Sequence, residues 1–189
     1  MVLFQDDLYE SVYFKHEDPV KARKQMIFHT FPDIEVYHTK DVWKKHPSKE
    51  GLWLFSGRTD DFVKLGSLTK FNATYVENIV LRDERVKGVV MGGEGREVPF
   101  LLVEVGEGVD ELEALEEVWR VVEDIHAEVS EDIRVERDMV MCTERERPMP
   151  RVGAKNTVNR RKTNEEYAEE IEWLYQRRLE SLNGVLHEK

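Results

Sequence analysis

The sequence predicts an α+β chain in two parts, a β-rich stretch over residues 1–58 and a compact α+β unit over residues 62–189. Three observations predict it. Short runs biased to aromatic and β-branched residues, bounded by turn residues, recur through the first sixty positions. The character of the chain changes after Asp60. Residues 111–129 then carry apolar side chains at three- and four-residue steps, the mark of an amphipathic helix. At 189 residues the length suits one ordinary domain or two small ones.

Residues 2–14 alternate loosely and read as a strand. Residues 17–26 read as a loop or short helix with Pro19 near its start. Residues 26–31 read as a strand closed by Pro32-Asp33, and residues 34–39 as another. Residues 44–51 form a turn-rich loop, and residues 52–57 a third strand ending at Gly57. Two short strands, 62–65 and 68–71, flank Gly66-Ser67. A helix over 73–82 is capped by Asn72 or Thr74 and turns Tyr75, Ile79 and Val80 inward. Residues 86–91 and 98–105 are the clearest strands, joined by a hairpin-like connection. The helix over 111–129 faces Leu112, Leu115, Val118, Val122, Ile125 and Val129 inward, and acidic residues crowd its first turns, where they suit the helix dipole. Residues 133–142 read as a strand. A basic, turn-rich loop follows. Thr163 to Glu166 is a capping-box pattern that opens a final helix through about residue 182.

Composition narrows the function. The chain is 40% hydrophobic and 35% charged, with a formal net charge of −11, which argues against whole-chain attraction to nucleic acid or anionic membrane. The one cysteine, Cys142, excludes an internal disulfide framework and fits a reducing compartment. The first residues lack a basic segment followed by an apolar one, so they do not read as a signal peptide. No apolar run is long enough for a membrane span. The expectation is a cytoplasmic protein. The six histidines show no metal-ligand spacing, so no protein metal site is expected.

Two polar signatures flank an aromatic strand: Tyr37-x-Thr39-x-Asp41 and Gly57-Arg58-x-Asp60-Asp61. With Lys155 in a basic loop far downstream, they suggest a nucleotide site split between two lobes. Asp41 reads as lying just after a strand, where a carboxylate can accept hydrogen bonds from adjacent sugar hydroxyls. It also fits a turn aspartate capping its own backbone. Arg58 offers a planar fork for phosphate or ribose oxygens, or a surface ion pair with Asp60 or Asp61. Asp60 fits a hinge between lobes. Lys155 can neutralise charge developing on a phosphoryl group. Alternatively, Arg151, Lys155, Arg160, Arg161 and Lys162 form a nucleic-acid patch, although no aromatic interrupts them to stack a base. Cys142 has no evident base beside it, which disfavours a nucleophile.

In order, the chain carries Phe31-Pro32-Asp33, Tyr37-x-Thr39-x-Asp41, His46-Pro47, Gly51-Leu52-Trp53 and Gly57-Arg58-x-Asp60-Asp61. Lys70-x-Asn72, Val76-Glu77, Gly93-x-Gly95-Arg96 and Lys155-x-Thr157-Val158-x-Arg160-Arg161 follow, then Tyr167 through Tyr175. This series resembles the C-terminal portion of adenylate-forming enzymes, the superfamily of acyl-CoA synthetases, peptide-synthetase adenylation domains and luciferases. The likeness is nearest to fungal adenylate-forming reductases related to nonribosomal peptide synthetases, and it runs over about residues 26–177.

The resemblance implies that residues 1–58 are the β-rich end of the large adenylation lobe, residues 59–61 a hinge, and residues 62–189 the small mobile lobe. Asp41 would hold the ribose hydroxyls of ATP, Arg58 the ribose or phosphates, and Asp60 would be the hinge. Lys155 would bridge the carboxylate substrate and the α-phosphate. ATP and Mg2+ would be the cofactors, and the acyl adenylate would pass to a phosphopantetheine thiol of a carrier protein. Three residues depart from the family pattern at its glycines: Lys40 in Thr-Gly-Asp, Leu68 in the turn before Lys70, and Asn156 after the lysine. The superfamily's phosphate loop, adenine pocket and acid pocket have no counterpart here. The expectation is therefore a truncated C-terminal part, inactive alone and dependent on a missing N-terminal lobe. The alternative is a binding or regulatory module that complements a separate adenylation lobe.

Overall fold

The computed structural model describes residues 1–187, with side chains through Asn183. The chain is mixed α+β and separates into two compact units, Met1–Phe62 and Val63 onward.

The first unit is an antiparallel meander of β1 (Val2–Gln5), β2 (Leu8–Phe14), β3 (Val36–Lys45) and β4 (Trp53–Arg58), in that spatial order. The single strand expected over 2–14 is a hairpin instead. Asp6 turns it with φ at +46°, a conformation that aspartate tolerates better than most residues. Aromatic pairs tie the strands together. The Tyr9 and Trp53 rings meet edge to face at 5.2 Å, as do Trp43 and Phe55 at 5.4 Å. Between β2 and β3 lie α1 (Pro19–Ala22), whose cap Asp18 accepts from the Val20 N–H at 2.8 Å, and α2 (Ile27–Thr30). The segment over 26–31, expected as a strand, is thus a helical turn. Its N–H groups are satisfied locally, Phe28 to the Gln25 carbonyl and Phe31 to that of Ile27, and of the four residues of α2 only Phe28 is buried.

Strand β3 continues through Asp41, where the sequence reads as a loop. A bulge permits this. Glu10 of β2 faces Val42 and Val12 faces His38, so Thr39, Lys40 and Asp41 stand opposite Ser11 alone. Lys40 absorbs the extra length with φ at +65°.

The second unit opens with a ribbon of β5 (Phe62–Lys64) and β6 (Lys70–Asn72). Asn72 then caps α3 (Thr74–Val80), its Oδ1 accepting from the Thr74 N–H at 3.0 Å. Val76, Glu77 and Val80 face inward, whereas Tyr75 is exposed and its hydroxyl binds Glu128. β7 (Val86–Gly92) and β8 (Phe100–Val105) pair antiparallel, as expected of the two clearest strands, and β9 (Val140–Cys142) adds in parallel beside β8. The parallel step uses the crossover helix α4 (Glu111–Ile125), capped by Asp110. Ala114, Val118, Val122 and Ile125 form its buried stripe, while Leu112 is 76% exposed. Six residues before Val118, Leu112 falls well off that stripe on a 3.6-residue helix. Only the last three residues of the strand expected over 133–142 pair. The earlier part makes two 3-10 turns, and Val135 and Met139 alone are buried in it.

The final helical segment is α5 (Arg160–Glu166) followed by α6 (Ala168–His187). It begins four residues earlier than the capping-box pattern suggests. Asn159 is the cap, accepting from the Lys162 N–H at 3.1 Å, and Thr163 is fully buried with its hydroxyl donating to the Asn159 carbonyl at 3.0 Å. The core joins Leu65, Met91, Leu101, Leu102, Met139 and Leu174 beneath Tyr167. No helix among the described residues is long and apolar enough to cross a membrane.

The three residues that replace family glycines share one property. Lys40, Leu68 and Asn156 have φ of +65°, +69° and +53°, and among the described residues Asp6 is the one further non-glycine residue with positive φ. Left-handed backbone costs a residue with a Cβ about 1–2 kcal/mol. Leu68 is also 73% exposed, so its side chain returns little. Leu68→Gly is expected to stabilise the second unit by about 1 kcal/mol, read as a higher urea midpoint with unchanged m-value. A lower midpoint would contradict the strain.

Candidate functional site

The segment that carries Lys155 is a small hairpin of β10 (Arg151–Val152) and β11 (Thr157–Val158). Gly153 with φ at +72° and Asn156 with φ at +53° close the turn, and the Asn156 N–H donates to the Gly153 carbonyl at 3.1 Å. Lys155 stands exposed in that turn. Among the described residues its ammonium has no partner.

Both ends of the hairpin are fastened to the body of the second unit by arginine forks. Before it, Arg151 reaches Glu104 of β8 with one nitrogen on each carboxylate oxygen, at 2.9 and 3.1 Å. The same guanidinium donates to the carbonyls of Lys87 and Met149, and Glu104 also accepts from the Met149 N–H at 2.7 Å. After the hairpin, Arg160 reaches Glu77 of α3 at 2.6 and 2.8 Å and the Met91 carbonyl at 2.7 Å. Glu77 is 7% exposed and takes a further hydrogen bond from the Met91 N–H at 2.7 Å. Gly88 of β7 leaves room for this packing. A Cβ there would lie 3.1 Å from Met149 Sδ and 3.2 Å from Val158 Cγ2.

These forks decide what the basic stretch can offer. Arg160 is committed to the buried Glu77 and Arg151 to the partly buried Glu104, and Arg161 pairs with Glu165 at 3.3 Å. Of the five cations that would make a nucleic-acid patch, two therefore build the fold and a third is balanced on the surface. Glu77 and Glu104 were not singled out as structural partners from sequence. The available signal was a glutamate inside each of two apolar runs, since a buried carboxylate needs a cation or several donors.

The first unit gathers the other predicted residues. Asp41 on β3 lies directly across from Arg58 on β4, and Arg58 Nη1 donates to Asp41 Oδ1 at 2.8 Å. Both side chains are partly open, 35% and 47% exposed. Neither of the two expected aspartates takes the Arg58 guanidinium in this ion pair. Asp61 Oδ2 accepts the Arg58 backbone N–H at 3.0 Å, and Asp60 is held by Lys40 Nζ, at 3.0 and 3.1 Å to its two oxygens. Thr39 keeps the bulge in shape. Its hydroxyl donates to the Ser11 carbonyl at 2.8 Å and accepts the Asp41 N–H at 3.1 Å. Asp41 thus presents a carboxylate from a pinned strand, with Oδ2 outside the Arg58 bond. Lys155 belongs to the second unit.

Burial pushes the Cys142 thiol up to about 12, with Glu111 adding to the rise. That suits a packing residue and not a nucleophile. Among the described residues, no group of three or more His, Cys, Asp or Glu side chains is arranged to hold a metal ion.

Residues 60–179 match the model of the AMP-binding enzyme C-terminal domain, and the chain belongs to that family. Among proteins of known activity, it is 35% identical over 158 residues to the adenylate-forming reductase Nps9 of Serpula lacrymans, covering 80% of this chain and 14% of that protein. It is 31% identical over 156 residues to a carboxylic acid reductase of Neurospora crassa, covering 80% and 15%. The chain therefore spans about a seventh of the length of these relatives. The fold is similar to part of the A-PCP didomain of the carboxylic acid reductase from Segniliparus rugosus in complex with AMP, with a TM-score of 0.59 at 14% identity over 88% of this chain and 24% of that one. The A domain of the same enzyme gives 0.58 at 13% identity, over 82% and 26%. The chain is thus a C-terminal domain of the adenylate-forming class, similar to reductases.

Two outcomes follow from the buried groups. Arg160→Ala leaves the Glu77 carboxylate uncompensated and is expected to cost about 3 kcal/mol of stability, measured by urea unfolding, with Arg160→Lys recovering only part because lysine lacks the fork. At pH 8 the folded Cys142 thiol, with its pKa raised from 9.0 to about 12, should alkylate roughly a thousandfold more slowly than in urea, because only the thiolate reacts. Equal rates would refute its burial.

Proposed function

We propose that this chain performs the C-terminal-lobe part of an ATP-dependent carboxylic acid activation, in the manner of the adenylate-forming reductases it resembles. The observation that carries this reading is Lys155: an ammonium without a partner among the described residues, on the tip of a hairpin whose base is fixed by two partly buried forks. Such a cation can be delivered to a reacting centre with its position set by the scaffold.

In the proposed reaction a substrate carboxylate oxygen attacks the α-phosphorus of ATP. A bond forms between them, the bond from that phosphorus to pyrophosphate breaks, and pyrophosphate leaves. Lys155 neutralises charge on the carboxylate and the α-phosphate as the two anions approach. Asp41 accepts hydrogen bonds from the ribose hydroxyls through Oδ2, and Arg58 turns its remaining donors to the ribose or phosphates. Mg2+ would arrive with the nucleotide and would supply further neutralisation of phosphate charge, beside that from Lys155 and Arg58. Once Asp60 and its neighbours have let the second unit rotate, the sulfur of a phosphopantetheine thiol attacks the acyl carbon. The thioester bond forms, the acyl–phosphate bond breaks, AMP leaves and the thiol proton goes to solvent. The adenine and acid pockets lie outside these 189 residues, in the same polypeptide or another. The exposed apolar sheet residues Leu3, Phe14, Leu54 and Phe55 support such a partner lobe. The ATP requirement and the single buried thiol fit the cytoplasm.

ATP–pyrophosphate exchange tests the reading. Residues 1–189 alone should give none. Supplemented with the large lobe of the Serpula reductase, the chain should restore exchange, and Lys155→Ala should lower it by about 10²–10³. Robust exchange by the chain alone would overturn the placement of the missing pockets, and an unaffected Lys155→Ala would overturn the role of the lysine.

A further inference from the structure

We propose that Arg151 is a positioning residue for Lys155: its fork to Glu104 sets the direction in which the hairpin points, whereas Arg160 holds the fold beneath it. The inference rests on the proposed reading in which the Lys155 ammonium meets the carboxylate and the α-phosphate.

The hairpin cannot aim itself. Its ladder is two residue pairs, Arg151 with Val158 and Val152 with Thr157. Beyond them the turn closes on itself, the Asn156 N–H on the Gly153 carbonyl. A Cβ added at Gly153 would meet nothing within 4 Å among the described residues, so the turn stands clear of the body there. Two strand residues, a turn and a lysine side chain make a lever on the order of 10 Å. A tilt of about 10° at the root of such a lever moves the ammonium by about 2 Å. Misplacing a catalytic group by about 1 Å can cost about 10²-fold in rate.

The two roots of the hairpin do different things. The second runs straight into α5. Asn159 caps that helix, its own N–H donates to the Pro150 carbonyl at 2.7 Å, and the Arg160 fork ties the helix start to α3 and β7. Losing that fork disturbs the packing of a helix. The first root is a single strand residue. Arg151 Nη1 donates to Glu104 Oε2 and the Met149 carbonyl, and Nη2 to Glu104 Oε1 and the Lys87 carbonyl. Glu104 Oε2 also accepts the Met149 N–H, so one carboxylate grips the strand at two points. The guanidinium passes beside Gly88, where an added Cβ would stand 3.4 Å from Nη2. It thereby spans β7 and β8 and fixes the strand against both. Without it the ladder and the Asn159 bond to Pro150 still form the hairpin, but its tilt over the sheet is no longer set.

The test has two readouts on the full chain. In the first, spin labels on Lys155→Cys and Glu169→Cys, both in the second unit, are placed in a Cys142→Ala background. The inter-label distance distribution should be narrow. Arg151→Lys, which keeps the charge and loses the fork, should broaden it, and so should Glu104→Gln, with cooperative urea unfolding retained. In the second, chains with Lys155 intact are supplemented with the large lobe of the Serpula reductase. Arg151→Lys and Glu104→Gln should each lower the kcat of ATP–pyrophosphate exchange at least about tenfold. The KM for ATP should stay within about twofold, since ground-state binding is not what is lost. The double variant should be no slower than the slower single one, because both act through one contact. Arg161→Gln removes a charge from the same loop without touching the root and should leave both readouts unchanged. An equal loss there would assign the effect to charge and overturn the proposal. So would a distribution already broad in the unaltered chain, or one that Arg151→Lys leaves as narrow. If Lys155→Ala abolishes exchange while Arg151→Lys keeps full kcat, the positioning role is refuted and the proposed function stands. Full exchange by Lys155→Ala would refute both.

Discussion

The candidate site depends on two carboxylates, Glu77 buried and Glu104 partly buried, placed where carboxylates are costly. Glu77 and Glu104 each sit in an apolar run, on α3 and β8, and each is neutralised by an arginine that flanks the Lys155 hairpin. Buried ion pairs of this kind bring little net stability compared with apolar packing, but a broken one is expensive. Their effect is to make one position of the hairpin base far better than any other. The turn can then be short, exposed and otherwise unsupported, and still hold its lysine within a small volume. Glycine at position 88 serves the same end by letting Met149 and Val158 come close to β7.

The first unit works by a different principle. It buries little: among the described residues, Val42 of the sheet and Phe28 of α2 are its buried apolar side chains, and it relies on cross-strand aromatic pairs and on hydrogen bonds around one bulge. That bulge turns three residues, Thr39, Lys40 and Asp41, into a rigid display. Thr39 shapes it, Asp41 faces Arg58, and Lys40 reaches the connection to the second unit. Local side-chain chemistry carries an arrangement that a large core supports elsewhere.

Much of this was legible in the residues. β7 and β8 are dense in valine, leucine and phenylalanine, and the stripe of α4 follows helical steps, so both follow from periodicity alone. The polar signatures around Asp41 and Arg58 and the lone Lys155 in its basic loop were visible as residues, and the structure pairs the first two across β3 and β4 and puts the lysine in a turn of the second unit. What failed was arbitration by local pattern where the tertiary context decides. The six residues from Met26 to Phe31 suit a strand, but their backbone is satisfied within one helical turn. Thr163 spells a cap, yet Asn159 stands one turn earlier and leaves Thr163 to be buried. Tyr75 reads as core and instead uses its hydroxyl at the surface. The arginine forks were hidden for another reason. Spacing shows that a loop is basic, but it does not show which of its cations point inward.

The left-handed torsions at Lys40, Leu68 and Asn156 carry a lesson about descent. A short signature written with a glycine letter at these three places would pass over this chain. What this chain supplies there is a left-handed dihedral angle, met by a lysine, a leucine and an asparagine. In such a motif the spelling is a proxy for the shape of the backbone.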